Sequence, residues 1–158
     1  RIRHLTAADA AFTCHLLNEP SFIENIADRG VRSEMDAMHY LAEGPIKSYQ
    51  QHGYGLFMVE HSECQTPLGF CGLLFRDHLQ ETDIGFAFLP QYWGKGYAFE
   101  AAKAAFDLGK SLGIERIVAI VSAHNSASKA LLNKLGLHFE SCLQLSPDDE
   151  PVELFGQS

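Results

Sequence analysis

The sequence predicts an α/β protein whose mixed sheet carries helices on both faces. Three observations carry that reading. Strand-like and helix-like segments follow one another in the order β-α-α-(α)-β-β-β-α-β-α-β-β, which demands a sheet covered on both sides. No repeat, linker or low-complexity stretch interrupts the 158 residues, so one domain spanning 1–158 is expected. From Asp83 to Ala105 the period switches in mid-course, from strand, through a turn at Pro90 and a loop with two glycines, to helix.

Taken in order, Ile2 to Leu5 reads as a short edge strand. Thr6 then caps a helix running to about Asn18, with Ala10, Leu16 and Leu17 inward. Glu19 to Gly30 is a second, weaker helical stretch ending at glycine, with Phe22, Ile23 and Ile26 as its apolar residues. Ser33 opens a third helix, with Asp36 as a capping-box variant, and it heads towards Gln51 with a bend or break expected at Gly44-Pro45. Tyr54 to His61 and Leu68 to Phe75 are strands joined by a polar turn around Cys64 to Pro67, and Arg76 to Gln80 makes the next turn.

In the strand that follows, Thr82, Ile84, Phe86 and Phe88 face one way, and Glu81, Asp83, Gly85, Ala87 and Leu89 the other. From Ala98 the residues Ala98, Ala101, Ala102, Ala105, Phe106 and Gly109 share one helix face. Glu100, Lys103, Asp107 and Lys110 occupy the opposite one, with charge pairs three and four apart. Leu112-Gly113 ends this helix and Arg116 to Val121 is a buried strand. A last helix runs from Asn125 until Gly136 terminates it. His138 to Leu145 and Val152 to Gly156 supply the closing strands, either side of the acidic turn Asp148-Asp149-Glu150.

Composition narrows the function. At 46% hydrophobic and 20% charged, the chain reads as soluble and globular, and no apolar run approaches the roughly 20 residues that span a membrane. A net charge of −8 argues against nucleic acid as a main partner and suits a cationic substrate. Cys14, Cys64, Cys71 and Cys142 have neither Cys-x-x-Cys spacing nor small-domain density, so they read as reduced cytosolic thiols. The eight histidines are scattered, and no metal site is assigned. The sequence opens on Arg1 rather than Met, as a trimmed N-terminus would, and shows no signal peptide.

The loop at 91–98 points to an anion. A first helical turn presents unsatisfied N–H groups and a partial positive charge. Gly94 and Gly96 lack a Cβ that would hold a phosphate away, and Lys95 adds a cation. The plainer alternative is an ordinary strand-to-helix connection using glycine for turn geometry. A dinucleotide fingerprint would need a third glycine and a later acidic residue, and a Walker loop would need Gly-Lys-Ser/Thr; neither is present.

The string Gln91-Tyr92-Trp93-Gly94-Lys95-Gly96-Tyr97-Ala98 resembles the Gln/Arg-x-x-Gly-x-Gly/Ala pyrophosphate loop of the GNAT N-acetyltransferases. It is most similar to the branch of ribosomal-protein-alanine N-acetyltransferases. The segment Asn125 to Leu137 resembles that family's Asn-x-x-Ser/Ala…Lys-x-Gly-Phe element, with Leu137 in place of Phe. The resemblance covers nearly the whole chain. It implies the GNAT fold, a mixed, mostly antiparallel sheet of six to seven strands, and acetyl-CoA as co-substrate without a metal.

The same resemblance implies the site residues. Gln91, Gly94, Lys95, Gly96, Tyr97 and Ala98 would hold the pyrophosphate, Phe86, Phe88 and Leu89 would border the cofactor, and Asn125 would approach the pantetheine arm. Gly85 marks either a bulge that frees backbone donors for the thioester carbonyl or a packing glycine. Removing a proton from an amine of pKa near 10 calls for a base. Glu81 and Asp83 are the candidates, the alternative being a solvated strand edge, and His78 is a weaker one, better read as a turn histidine. Many members carry a leaving-group tyrosine four residues before the helix-ending glycine, where this chain has Leu132. Ser128 is then the candidate to meet the CoA sulfur, or else a helix-start serine bonding the backbone.

These residues imply a cytoplasmic enzyme, monomer or homodimer, that transfers acetyl directly to a primary amine within a ternary complex. A peptide or protein α-amine is the expected acceptor, and a polyamine or small amine the second. The absent tyrosine leaves a non-catalytic CoA-binding sensor or interaction module as the reading from another class. Segments around 19–52 and 146–151 would shape the acceptor groove.

Overall fold

The computed structural model describes every residue except 78, 145, 146, 149 and 158. His78, the end of the strand expected to reach Leu145, and parts of the acidic turn and of the 146–151 segment therefore lie outside the described residues.

Seven strands form one sheet in the order β1-β2-β3-β4-β5-β7-β6. They are β1 (Ile2–His4), β2 (Leu56–Glu60), β3 (Pro67–Arg76), β4 (Glu81–Phe88), β5 (Ile117–Ser122), β6 (Leu137–Leu143) and β7 (Val152–Gln157). Every neighbouring pair is antiparallel except β4–β5, which is parallel. One face carries α1 (Ala10–Leu17), α2 (Pro20–Asn25) and α3 (Glu34–Leu41), the other carries α5 (Tyr97–Ser111) and α6 (Ser126–Lys134), and α4 (Lys47–His52) stacks its Tyr49 on His4 and Phe57.

The alternation of β4 divides the core in two. Ile84 and Phe88 join Phe57, Leu73, Ala102, Ala105, Ile117 and Leu132 beneath α5 and α6. Ala87 and Leu89 join Leu16, Leu17, Phe22, Leu41, Met58 and Phe70 beneath α1 to α3. The small inward residues of α5, Ala101, Ala102, Ala105 and Gly109, are all buried, which lets the helix lie close on the sheet.

Helix starts follow the expected caps. The Thr6 hydroxyl accepts from the Ala8 N–H while Asp9 accepts from the Thr6 N–H at 2.9 Å, and the Ser33 hydroxyl accepts from the Asp36 N–H at 3.1 Å. One expectation needs correction, and one of two alternatives is decided. The weak helix of 19–30 is confined to α2, and the chain from Ala27 to Arg32 is irregular. Gly44-Pro45 does not break its helix: Ala42–Ile46 widens into a π turn between α3 and α4, which accommodates a residue without an N–H.

The feature that positions the site is a divergence of β4 from β5. Their pairing consists of Thr82↔Ile117 and Asp83↔Val118, after which β5 continues along β7 as far as Ser122↔Val152. The upper half of β4 keeps β3 on one side and opens a gap on the other. No bulge causes this. The β3–β4 register runs unbroken from Gly69↔Phe88 to Arg76↔Glu81, through Gly72↔Gly85. Gly85 is therefore a packing glycine, where a Cβ would stand 3.2 Å from Leu74 Cδ1, and the gap arises from strand direction alone.

Candidate active site

A groove of about 640 Å³ fills the divergence, walled by β4, β5, the 92–99 segment, α6 and the α2 region. Three parts of it carry chemistry.

The first is the loop before α5. Gly94 and Gly96 have φ of +74° and +85°, a region where a side chain costs about 1–2 kcal/mol. A Cβ at either position would meet nothing within 4 Å, so glycine is needed there for conformation and the space beside it is open. Tyr92 and Trp93 close their turn by bonding Leu89 O and Pro90 O, and the first helical bond is Glu100 N–H to Gly96 O. Among the described residues the amides from Gly94 through Phe99 thus have no partner: six consecutive donors at a helix start with no side-chain cap. The Trp93 indole N–H donates to Phe88 O at 2.9 Å and ties the loop to the end of β4.

The second part is Asp83, at the apex of the divergence. Only 3% of it is exposed. Its Oδ2 accepts from Arg76 Nε at 3.0 Å and also meets Arg76 Nη2 at 3.0 Å, whereas Oδ1 is buried with no hydrogen-bond partner among the described residues. Burial pushes the carboxyl up to about 6, against the pull of the Arg76 charge and hydrogen bond and a smaller pull from the nearby Ile120 N–H, which falls short of hydrogen-bond geometry. An orphaned carboxylate oxygen in a groove, on a group that titrates near neutrality, is the arrangement of a general base. Glu81, two residues away, lies outside the groove and pairs with Arg116 Nε at 3.2 Å; Arg116 also clamps Glu140.

The third part is the start of α6. Asn125 Oδ1 accepts the Ser128 N–H at 3.2 Å, so this asparagine spends one oxygen on capping its own helix. The Ser128 hydroxyl makes no hydrogen bond among the described residues and lines the groove, so the backbone-bonding alternative does not hold here. Leu132 is 1% exposed and packs into the core, and no hydroxyl replaces the missing tyrosine at that position.

The groove therefore gathers Asp83, Phe86, Phe88, Gly94, Gly96, Tyr97, Ala98, Asn125 and Ser128. It leaves Gln91 and Lys95 exposed beside it, and Leu89 turns its side chain into the opposite core. Arg76 is the functional residue that sequence reasoning missed. Its signal was the β3–β4 pairing itself, since Arg76 opposite Glu81 stands diagonally beside Asp83, within reach of a long side chain.

The site fits a CoA-type ligand on its own geometry: a row of free amides for an anion and a gap between strands for an extended arm. Among the described residues no three His, Cys, Asp or Glu side chains cluster to hold a metal, and no helix is long and apolar enough to cross a membrane.

Comparison with known proteins agrees. Residues 1–138 match the acetyltransferase (GNAT) domain family. The uncharacterized protein YkkB of Bacillus subtilis is 31% identical over 99 residues, which are 60% of this chain and 58% of that protein. The uncharacterized N-acetyltransferase p20 of Bacillus licheniformis is 28% identical over 147 residues, 90% of this chain and 81% of that one. Among solved structures, RimL, a ribosomal L7/L12 α-N-protein acetyltransferase in complex with coenzyme A, superposes with a TM-score of 0.84 at 17% identity, covering 99% of this chain and 92% of that one.

Proposed function

This chain belongs to the GNAT acetyltransferase family, and from that premise we propose that it transfers the acetyl group of acetyl-CoA directly to the N-terminal α-amine of a peptide. The observation that carries the proposal is the placement of an unpartnered Asp83 oxygen in the same groove as six unbonded amides and a free serine hydroxyl. The α-amine acceptor is supported by the likeness of the 91–98 loop to the ribosomal-protein branch and by the activity that RimL's name states.

Acetyl-CoA, when bound, supplies the activated acetyl group and a thiolate that leaves. The amides of Gly94 to Phe99 would hold its pyrophosphate, and Phe86, Phe88 and Asn125 would border its arm. Asp83 is ionised at pH 7 and accepts a proton from the incoming ammonium through Oδ1, while Arg76 keeps the carboxylate in place through Oδ2. Between a base near 6 and an α-amine near 8 the proton moves uphill by about 3 kcal/mol. Desolvation of the ammonium beside Arg76 narrows that gap. Ser128 donates a hydrogen bond to the departing sulfur, and at a thiol pKa of about 8.5 no strong acid is required.

Two measurements test this reading. Incubation with acetyl-CoA and a panel of peptides, polyamines and small amines should yield peptides one acetyl heavier at the α-amine, located by fragmentation mass spectrometry. Polyamine products alone would move the acceptor to the second class, and no turnover with any amine would leave a CoA-binding module. Ser128→Ala should lower kcat by roughly 10–1000-fold with little change in CoA affinity; wild-type turnover would remove Ser128 from the chemistry.

A further inference from the structure

Beyond the groove, a second cavity of about 370 Å³ adjoins it, between α3, α4 and the β3–β4 end of the sheet. Arg29, Tyr40 and Arg76 line both, so they form the wall where the two meet. We infer that the acceptor carries a carboxylate on the residue next to its N-terminal one, which Arg29 and Tyr40 hold while the amine meets Asp83. This inference rests on the proposed transfer reaction and names the acceptor class of that same site.

Arg29 stands apart from the other arginines. Of the six arginines in the sequence, five have a carboxylate partner: Arg1 and Arg3 on Glu60, Arg32 on Asp28, Arg76 on Asp83 and Arg116 on Glu140. Arg29 makes no ion pair or hydrogen bond among the described residues, although it borders two cavities. Tyr40 is the second such residue. Its hydroxyl is likewise without a hydrogen bond among the described residues, and it lines both cavities together with Arg29 and Arg76.

Charge decides which ligand suits this wall. The chain as a whole is at −8, but at this wall the Asp83 charge is already paired with Arg76, and Arg29 has no carboxylate within ion-pair distance among the described residues. Other carboxylates facing these cavities are Glu19, which His15 approaches at 3.3 Å, Glu43, which Lys47 approaches at 4.0 Å, and Asp77 at the β3–β4 turn. A polyamine would set a second cation against Arg29, whereas a carboxylate would gain a fork of guanidinium donors and a phenol. Proton transfer at Asp83 explains one end of the acceptor, and Arg29 with Tyr40 supplies the other.

The test uses two peptides that differ in one group, Ser-Glu and Ser-Gln at their N-termini, with spermidine as a third acceptor. Rates are followed by release of the CoA thiol, and binding to the CoA-loaded protein by calorimetry. The acidic peptide should exceed its neutral twin by about 10- to 100-fold in kcat/KM, through KM, the range of a charge-assisted hydrogen bond. Arg29→Gln should erase the difference between the twins, Arg29→Lys should restore part of it, and Tyr40→Phe should shrink it. Equal use of the twins, survival of the preference in Arg29→Gln, or spermidine as the best acceptor would overturn the inference. Arg29-dependent binding of the acidic peptide without turnover would uphold it while removing the acetyl-transfer reading. Absence of any peptide binding would overturn it.

Discussion

Asp83→Asn is expected to lower kcat/KM by about 100-fold or more while leaving the protein at least as stable as before. The loss follows from the proton acceptor. Asn keeps the shape and the bond to Arg76 but cannot take a proton from the amine. In the wild type the acidic limb of the kcat/KM profile should fall away below about pH 6, where Asp83 becomes protonated. In the mutant that limb should vanish, and the residual rate should climb with pH as free amine accumulates.

The stability effect runs the other way because burial has raised this carboxyl above its usual value, so the folded state prefers it protonated. That preference stabilises the fold fully below about pH 4 and is lost as pH rises through about 6. At neutral pH the ionised Asp83 costs on the order of 3 kcal/mol, and the neutral Asn escapes the cost. Arg76, with a third of its side chain exposed, regains water for the charge that it loses. Denaturant unfolding of both proteins at pH 4 and pH 7 checks this, with the gap expected to widen at pH 7. Glu81→Gln is the matched control and should keep near wild-type rate, since Glu81 is engaged by Arg116 outside the groove. If both mutants keep the wild-type rate and profile, the base assignment fails.

Gly96→Val has the second large effect, and it has two components. A side chain at φ +85° strains the backbone by about 1–2 kcal/mol whatever is bound. It also stands in the open space beside the free amides and should weaken acetyl-CoA binding by about 100-fold or more, the equivalent of one or two charge-assisted hydrogen bonds. Gly113→Val separates the two. Gly113 has the same φ of +85°, and its Cβ would also meet nothing within 4 Å, but it lies at the far end of α5. Both mutants should lose similar amounts of thermal stability, and only Gly96→Val should lose acetyl-CoA. Equal affinities in calorimetry would break the link between this loop and the ligand.

The fold was legible because its signals are local. Alternation in β4, the alanine face of α5 and the glycines after Ser111 and Leu135 each act within a few residues, and each appears where expected. The loop was legible for the same reason. What escaped was set by distant partners. The gap beside β4 comes from β5 turning towards β7, which no residue in β4 announces, and of the two readings of Gly85 the packing glycine holds rather than the bulge. Glu81 and Asp83 look equivalent by period, yet one meets Arg116 in the open and the other is sealed beside Arg76. Leu89 shares the β4 face of Asp83 and Ala87, which line the groove, yet its own side chain is buried in the core beneath α1 to α3.

The unbonded amides at the start of α5 are expected to receive the pyrophosphate of acetyl-CoA. Amide proton–nitrogen correlation spectra recorded through a titration with CoA test it residue by residue. The signals of Gly94 to Phe99 should shift together, further than others and with one shared dissociation constant, and Ser128 should follow as the arm fills the gap. Signals at 94–99 that stay in place while CoA binds elsewhere, or a protein that binds no CoA, would contradict it.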